Sequence, residues 1–148
     1  MLSDNSSRAA IQDMNLKILS GVTIVLLEDH DRIGSAMAEY LRLQGAKVIV
    51  SSDAVDGLRA VRDHRPDIVI SAIRLPNQDG FEFLRYIRAL ETEDGISVPV
   101  IAMTVGGQME DRDRVIAAGF QAHLDKPFGS DELLEAVKSV LINQAPLA

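Results

Sequence analysis

Four short stretches of this chain carry side chains whose chemistry is complementary. Glu28 and Asp29, in VTIVLLEDHD, are adjacent carboxylates. Paired carboxylates suit Mg2+, a hard cation that takes oxygen ligands and keeps several of its waters. Thr104, closing VPVIAMT, brings a hydroxyl able to donate to an anionic oxygen. Lys126, in AHLDKPF, brings an ammonium group, a compact positive charge. Together they describe a small pocket for a phosphoryl group beside a metal ion. The pocket lacks a nucleophile. In PDIVISAIRLPNQDGFEFL (66–84), the point at which a strand would present a reactive side chain holds Ala72. Ser71 is no substitute, because successive strand side chains point to opposite faces. Asp67 lies at the other end of the same segment, and Asp79 opens the next helix.

Singly, each of these residues has an ordinary reading: solvated acids at a loop, a turn threonine, a Lys-Pro before a helix. Their meaning depends on the elements that carry them. VTIVLL, AKVIV, DIVIS and VPVIAMT are short apolar runs, the pattern of strands buried on both faces, and AHLD is a shorter fifth. Between and after them lie five stretches with helical periodicity: DRIGSAMAEYLRLQG, stopped by Gly45; SDAVDGLRAVRDH, capped by Ser52 or Asp53; GFEFLRYIRAL; MEDRDRVIAAG, ending at Gly119; and SDELLEAVKSVLIN, with Ser130 as cap. Five strands alternating with five helices predict a parallel sheet covered on both faces. In such sheets, sites form beyond the carboxyl ends of the strands, at the switch in strand order. Glu28-Asp29, Ala72, Thr104 and Lys126 all fall at such ends.

The bulk composition fits one domain. The chain has 148 residues, 47% of them apolar, enough for a sizeable core. It has no cysteine, hence no disulfide framework or thiolate chemistry. The net charge of −7 opposes contact with a phosphate backbone, so no nucleic-acid partner is expected. No run is long enough to span a membrane, and the first residues lack the basic and apolar regions of a secretory signal, so the expected location is cytoplasmic. Residues 1–21 read as a flexible leader or linker, although Ile11, Met14, Ile18 and Leu19 could line a short amphipathic helix. Residues 22–142 read as the domain and 143–148 as a tail.

From about Val22 to Leu141 the chain resembles a response-regulator receiver domain of two-component signalling, of the CheY-like superfamily. The resemblance rests on an ordered set: VLLEDHD, PDIVISAIRLPNQDGFEFLRYIR, VPVIAMT and AAGFQAHLDKPF. It implies an α/β fold, the flavodoxin-like (βα)5 three-layer sandwich with a five-stranded parallel sheet of order 2-1-3-4-5. It makes Glu28 and Asp29 the metal-binding acids and the backbone carbonyl of Arg74 a further metal ligand. Thr104 becomes the phosphoryl-contacting switch residue, Lys126 the phosphoryl-binding lysine, and Lys126-Pro127 a cis peptide. His123 stands where the family often has a switching Tyr or Phe, a position held outward in the inactive state. The implied partners are a sensor histidine kinase or phosphotransfer protein and a downstream protein, the latter meeting a face drawn from about 109–118, 122–125 and 131–141. The implied cofactor is Mg2+, weakened because only two of the family's three carboxylates remain, with Lys126 turning toward Asp29 or Glu28.

Aligning on Pro76 and Asp79-Gly80 places Ala72 at the family's phosphoacceptor aspartate. Two origins fit: substitution of the acceptor in an otherwise working site, or a natural degenerate receiver that signals without phosphate. The retained Glu28, Asp29, Thr104 and Lys126 favour the first; Val105, bulkier than the small residue usual after the threonine, favours the second. Neither origin makes the chain an enzyme. A flavodoxin-like enzyme or flavin carrier is the competing class, but EDHDRIG after the first strand would repel a flavin phosphate. His30 and His64 read as surface residues, VGGQ (105–108) as a plain loop, and EDRDR as a solvated helix face with i,i+4 ion pairs.

Overall fold

The computed structural model describes residues 18–75, 78–105 and 109–144, and all side chains among them except those of 105–111 and 144. Five strands alternate with five helices: β1 Thr23–Leu27, α1 Asp31–Leu43, β2 Lys47–Ser51, α2 Ala54–His64, β3 Ile68–Ala72, α3 Gly80–Glu93, β4 Val100–Val105, α4 Met109–Ala118, β5 Ala122–Lys126 and α5 Ser130–Gln144. All pairings are parallel and the sheet order is β2-β1-β3-β4-β5. This is the parallel sheet expected from the alternation, and the flavodoxin-like sandwich of order 2-1-3-4-5 that the resemblance implies.

The inner strands β1, β3 and β4 are largely apolar because both faces are covered, and all five residues of β3 are buried. Strand alternation then divides one sequence between two cores. Ile24, Leu26, Ile68, Ile70, Ile101, Met103 and Leu124 pack with Met37, Leu41, Val137 and Val140 of α1 and α5. Val25, Leu27, Val69, Val100 and Ala102 pack with Val61, Phe83, Ile87, Leu90 and Val115 of α2, α3 and α4. Ala72 belongs to the first core and lines up with Ile68 and Ile70; Ser71, fully buried, donates its hydroxyl to the carbonyl of Ala72 at 2.9 Å.

Local chemistry sets the helix ends. Asp53 accepts from the Asp56 N–H at 2.8 Å, and Asp79 from the Glu82 N–H at 2.9 Å, so both cap their helices. Gly45, with φ at 102°, lets the chain turn away after α1. Ser130 is the first residue of α5 rather than its cap, a shift of one position, and the Leu133 N–H bonds to the carbonyl of Gly129. The core also reaches back into the stretch read as a leader. Leu19 is 2% exposed, packs in the first core, and its N–H donates to the Gln44 carbonyl at 2.7 Å. The remainder of that stretch, residues 1–17, lies outside the described residues, as does most of the tail at 145–148.

Candidate functional site

Strand order reverses between β1 and β3: β2 lies to one side of β1, and β3, β4 and β5 follow on the other. The resulting crevice opens at the carboxyl ends of these strands. Register decides which residues meet there. Leu27 pairs with Ser71, so Glu28 and Ala72 stand level at the switch point. Ala72 pairs with Met103, putting Thr104 one residue higher, and Thr104 and Val105 pair with Asp125 and Lys126. Residues separated by about a hundred positions in sequence thus share one rim.

The loop after β3 is drawn tight by Gly80. Its N–H donates to the Ile73 carbonyl at 2.6 Å, and a Cβ on this residue would lie 2.6 Å from the carbonyl oxygen of Ala72 and 2.9 Å from Cα of Ile73. No side chain fits there. The start of α3 is therefore fixed against the end of β3, whatever residue 72 carries.

The ammonium of Lys126 has crossed the rim to Glu28. Lys126 Nζ lies 2.5 Å from Glu28 Oε1, with the lysine side chain 28% exposed and the glutamate side chain 1%. Glu28 Oε2 accepts from the His30 N–H at 3.3 Å. Asp29 is exposed beside it, and Arg74 is exposed in the β3–α3 loop. The bond between Lys126 and Pro127 is cis.

On the β4–β5 side, Thr104 is 4% exposed and donates its hydroxyl to Asp125 Oδ1 at 2.7 Å. His123, two residues earlier on the same face of β5, brings Nε2 to 3.4 Å from that oxygen without forming a hydrogen bond, and this nitrogen is buried. The bond from Thr104 holds the Asp125 carboxyl below its ordinary range; slight burial opposes this, and the nearby His123 and Arg112 add to it. The outward position expected of His123 in an inactive receiver is not what is found. Its side chain is only 14% exposed, folded in beside the anionic Asp125. The side chain of Val105 lies outside the described residues.

Two further differences concern surface residues. His30 is exposed, but it also caps α1, with Nδ1 accepting from the Ile33 N–H at 3.4 Å. In the EDRDR segment, read as a solvated face, Arg114 lies over the ring of Phe81, 4.1 Å from its centre, a cation–π contact; the side chain of Glu110, its i,i+4 partner, lies outside the described residues.

The comparisons with known proteins agree on this arrangement. The family model for the response regulator receiver domain matches residues 24–138. The chain belongs to the receiver domain family. It is 25% identical over 119 residues to the polar-differentiation response regulator DivK of Brucella anthropi, covering 80% of this chain and 95% of that protein. It is 32% identical over 124 residues to the response regulator Rre1 of Synechocystis, covering 83% of this chain but only 53% of that protein. The chain thus spans nearly all of one relative and about half of the other. Among solved structures, the receiver domain of the sensor histidine kinase PA1611 of Pseudomonas aeruginosa superposes with a TM-score of 0.72 at 30% identity, over 82% of this chain and 98% of that one. That structure holds a magnesium ion coordinated in its active site cleft.

Receiver domains are signalling modules that bind Mg2+ at this cleft and interact with histidine kinases or phosphotransfer proteins. The donor set of this chain does not match such a metal site. Level with Glu28, Ala72 offers only a methyl, and Glu28 has its Oε1 on Lys126 and its Oε2 on a backbone N–H. No group of three or more metal-ligating side chains stands together among the described residues. None of the described helices is long and apolar enough to cross a membrane.

Proposed function

We propose that this chain is a receiver that docks on phosphorelay proteins but takes no phosphoryl group. Ala72 carries the reading: at the level of Glu28, where strand order switches, it offers a methyl that cannot attack phosphorus. Glu28, Asp29 and the Arg74 carbonyl are the remnants of a metal site, so Mg2+ binds weakly and is not required. Thr104, Lys126 and His123 are the remnants of the phosphoryl contacts and the switch.

Docking is supported by a groove of about 410 Å³ lined by Ile33, Ala36, Met37, Lys126, Pro127 and Phe128. It runs beside the Glu28–Lys126 pair, and its lining is largely apolar, which suits the helical surface of a sensor histidine kinase or a phosphotransfer protein. Output is by protein contact through α4, β5 and α5, in the cytoplasm, with no reaction catalysed. A second reading, a constitutive pseudo-receiver, draws support from one feature. Thr104 and His123 are already gathered around Asp125, so no phosphoryl group is needed to assemble that side.

The test is intact-mass analysis after incubation with acetyl phosphate and Mg2+. The wild-type chain is expected to stay unmodified, and Ala72→Asp to gain one hydroxylamine-labile phosphoryl group. Modification of the wild-type chain would overturn the proposal. A folded Ala72→Asp variant that stays unmodified would favour the pseudo-receiver.

A further inference from the structure

We infer that Lys126 is itself the resident cation of the acidic pocket, which makes the domain independent of divalent metal. This deepens the reading of the site as a degenerate receiver cleft and rests on it. A carboxylate with a side chain 1% exposed needs a counter-charge, since an unpaired buried anion is strongly disfavoured. Glu28 obtains that charge from the chain itself. Lys126 Nζ sits on Oε1 at 2.5 Å, and the His30 N–H takes Oε2 at 3.3 Å, so both oxygens are engaged.

A divalent ion entering this pocket would have to displace the ammonium from Oε1. The displaced ammonium would then have only water, since Ala72, level with Glu28, offers a methyl and no anion to receive it. With a carboxylate at position 72, the lysine would have somewhere to go; here metal and ammonium compete for a single buried anion. The lysine is tethered and so acts at a high effective concentration, whereas Mg2+ must also give up waters that it holds tightly. What the metal would be left with is Asp29 and the Arg74 carbonyl, one carboxylate at an exposed rim. The tethered cation wins. Its contact also joins the end of β5 to the end of β1, across three intervening steps of sheet order, a closure that a dissociable metal would supply only when bound.

The inference predicts that removing the ammonium creates a metal site. The probe is Mn2+, titrated into the full chain and followed by the electron paramagnetic resonance signal of the free ion, with thermal unfolding as a second readout. Lys126→Met is expected to bind Mn2+ about tenfold more tightly than the wild type, in the range usual for coupling between competing ligands. Its Tm should rise with Mn2+ concentration while the wild-type Tm stays flat over the same range. Adding Glu28→Gln to Lys126→Met should abolish both gains. Lys126→Gln, which keeps a hydrogen-bond donor but no charge, carries the same expectation if the methionine variant fails to fold. Equal or weaker Mn2+ binding in the folded Lys126 variant would overturn the inference, as would a gain that survives Glu28→Gln. None of these outcomes depends on phosphorylation, so the acetyl phosphate experiment can fail while this one stands, and the reverse.

Discussion

Two carboxylates at the carboxyl end of one sheet each hold a polar side chain from another strand, yet they do so in opposite surroundings. Glu28, beyond β1, is sealed from water and holds the Lys126 ammonium. Asp125, on the edge strand β5, has a side chain 49% exposed and holds the Thr104 hydroxyl. The first pair is a matter of necessity, because the buried anion has no other cation among the described residues. The second is a matter of degree, because water can stand in for either partner. The same kind of contact is therefore structural on one side of the site and adjustable on the other.

The largest expected effect comes from breaking the buried pair from its exposed end. Lys126→Met leaves the Glu28 charge enclosed and unpaired, and should cost about 3 kcal/mol in denaturant unfolding. Glu28→Gln should cost less, about 1 kcal/mol, because Lys126 is partly exposed and can turn its ammonium to water. If the two variants cost the same, burial is not what separates the two sides. On the adjustable side, Thr104→Val should cost about 1 kcal/mol, the ordinary net worth of a hydrogen bond, and should return the Asp125 carboxyl toward its usual range as followed by carbon NMR.

The smallest effect is one of pH. The folded-state value of Asp125 lies below its ordinary 3.8, so its contribution is present above that value. It is lost as pH falls through the lowered value. Wild type should therefore exceed Asp125→Asn in stability by under about 1 kcal/mol near neutrality, with the gap closing below roughly pH 4. A gap that stays constant down to pH 2 would show that the Asp125 charge plays no part.

The fold was legible because four apolar runs and one short mixed strand alternate with five periodic segments, a pattern with one economical solution in layers. Asp53 was legible as one of two candidate caps, with Ser52, and Asp79 as the residue that opens its helix, because short polar side chains favour such positions. The His30 cap was not, since histidine is outside the usual capping types. At the site, Glu28, Asp29, Ala72, Thr104 and Lys126 could be placed from strand ends alone. The choice of Glu28 over Asp29 by Lys126 could not, because it depends on which acid is buried. Asp125 was missed altogether as a partner of Thr104. Its signal was the in-register pairing of β4 with β5, which brings Thr104 opposite Asp125 just as it brings Val105 opposite Lys126. Leu19 was hidden for a simpler reason: a single apolar residue in a polar stretch has no period to reveal it.

The tight approach of Gly80 to the carbonyl of Ala72 has a bearing on how this domain can change over generations. The two closest contacts there are to backbone atoms, so the side chain at residue 72 takes no part in them. On the proposed reading, the position stays framed for an acceptor while carrying none. Regaining an acid at residue 72 would require no new loop and no shift of α3, only a new partner for Lys126, which that acid would itself provide. On the proposed reading, the missing chemistry is a one-residue departure that the scaffold leaves open to reversal.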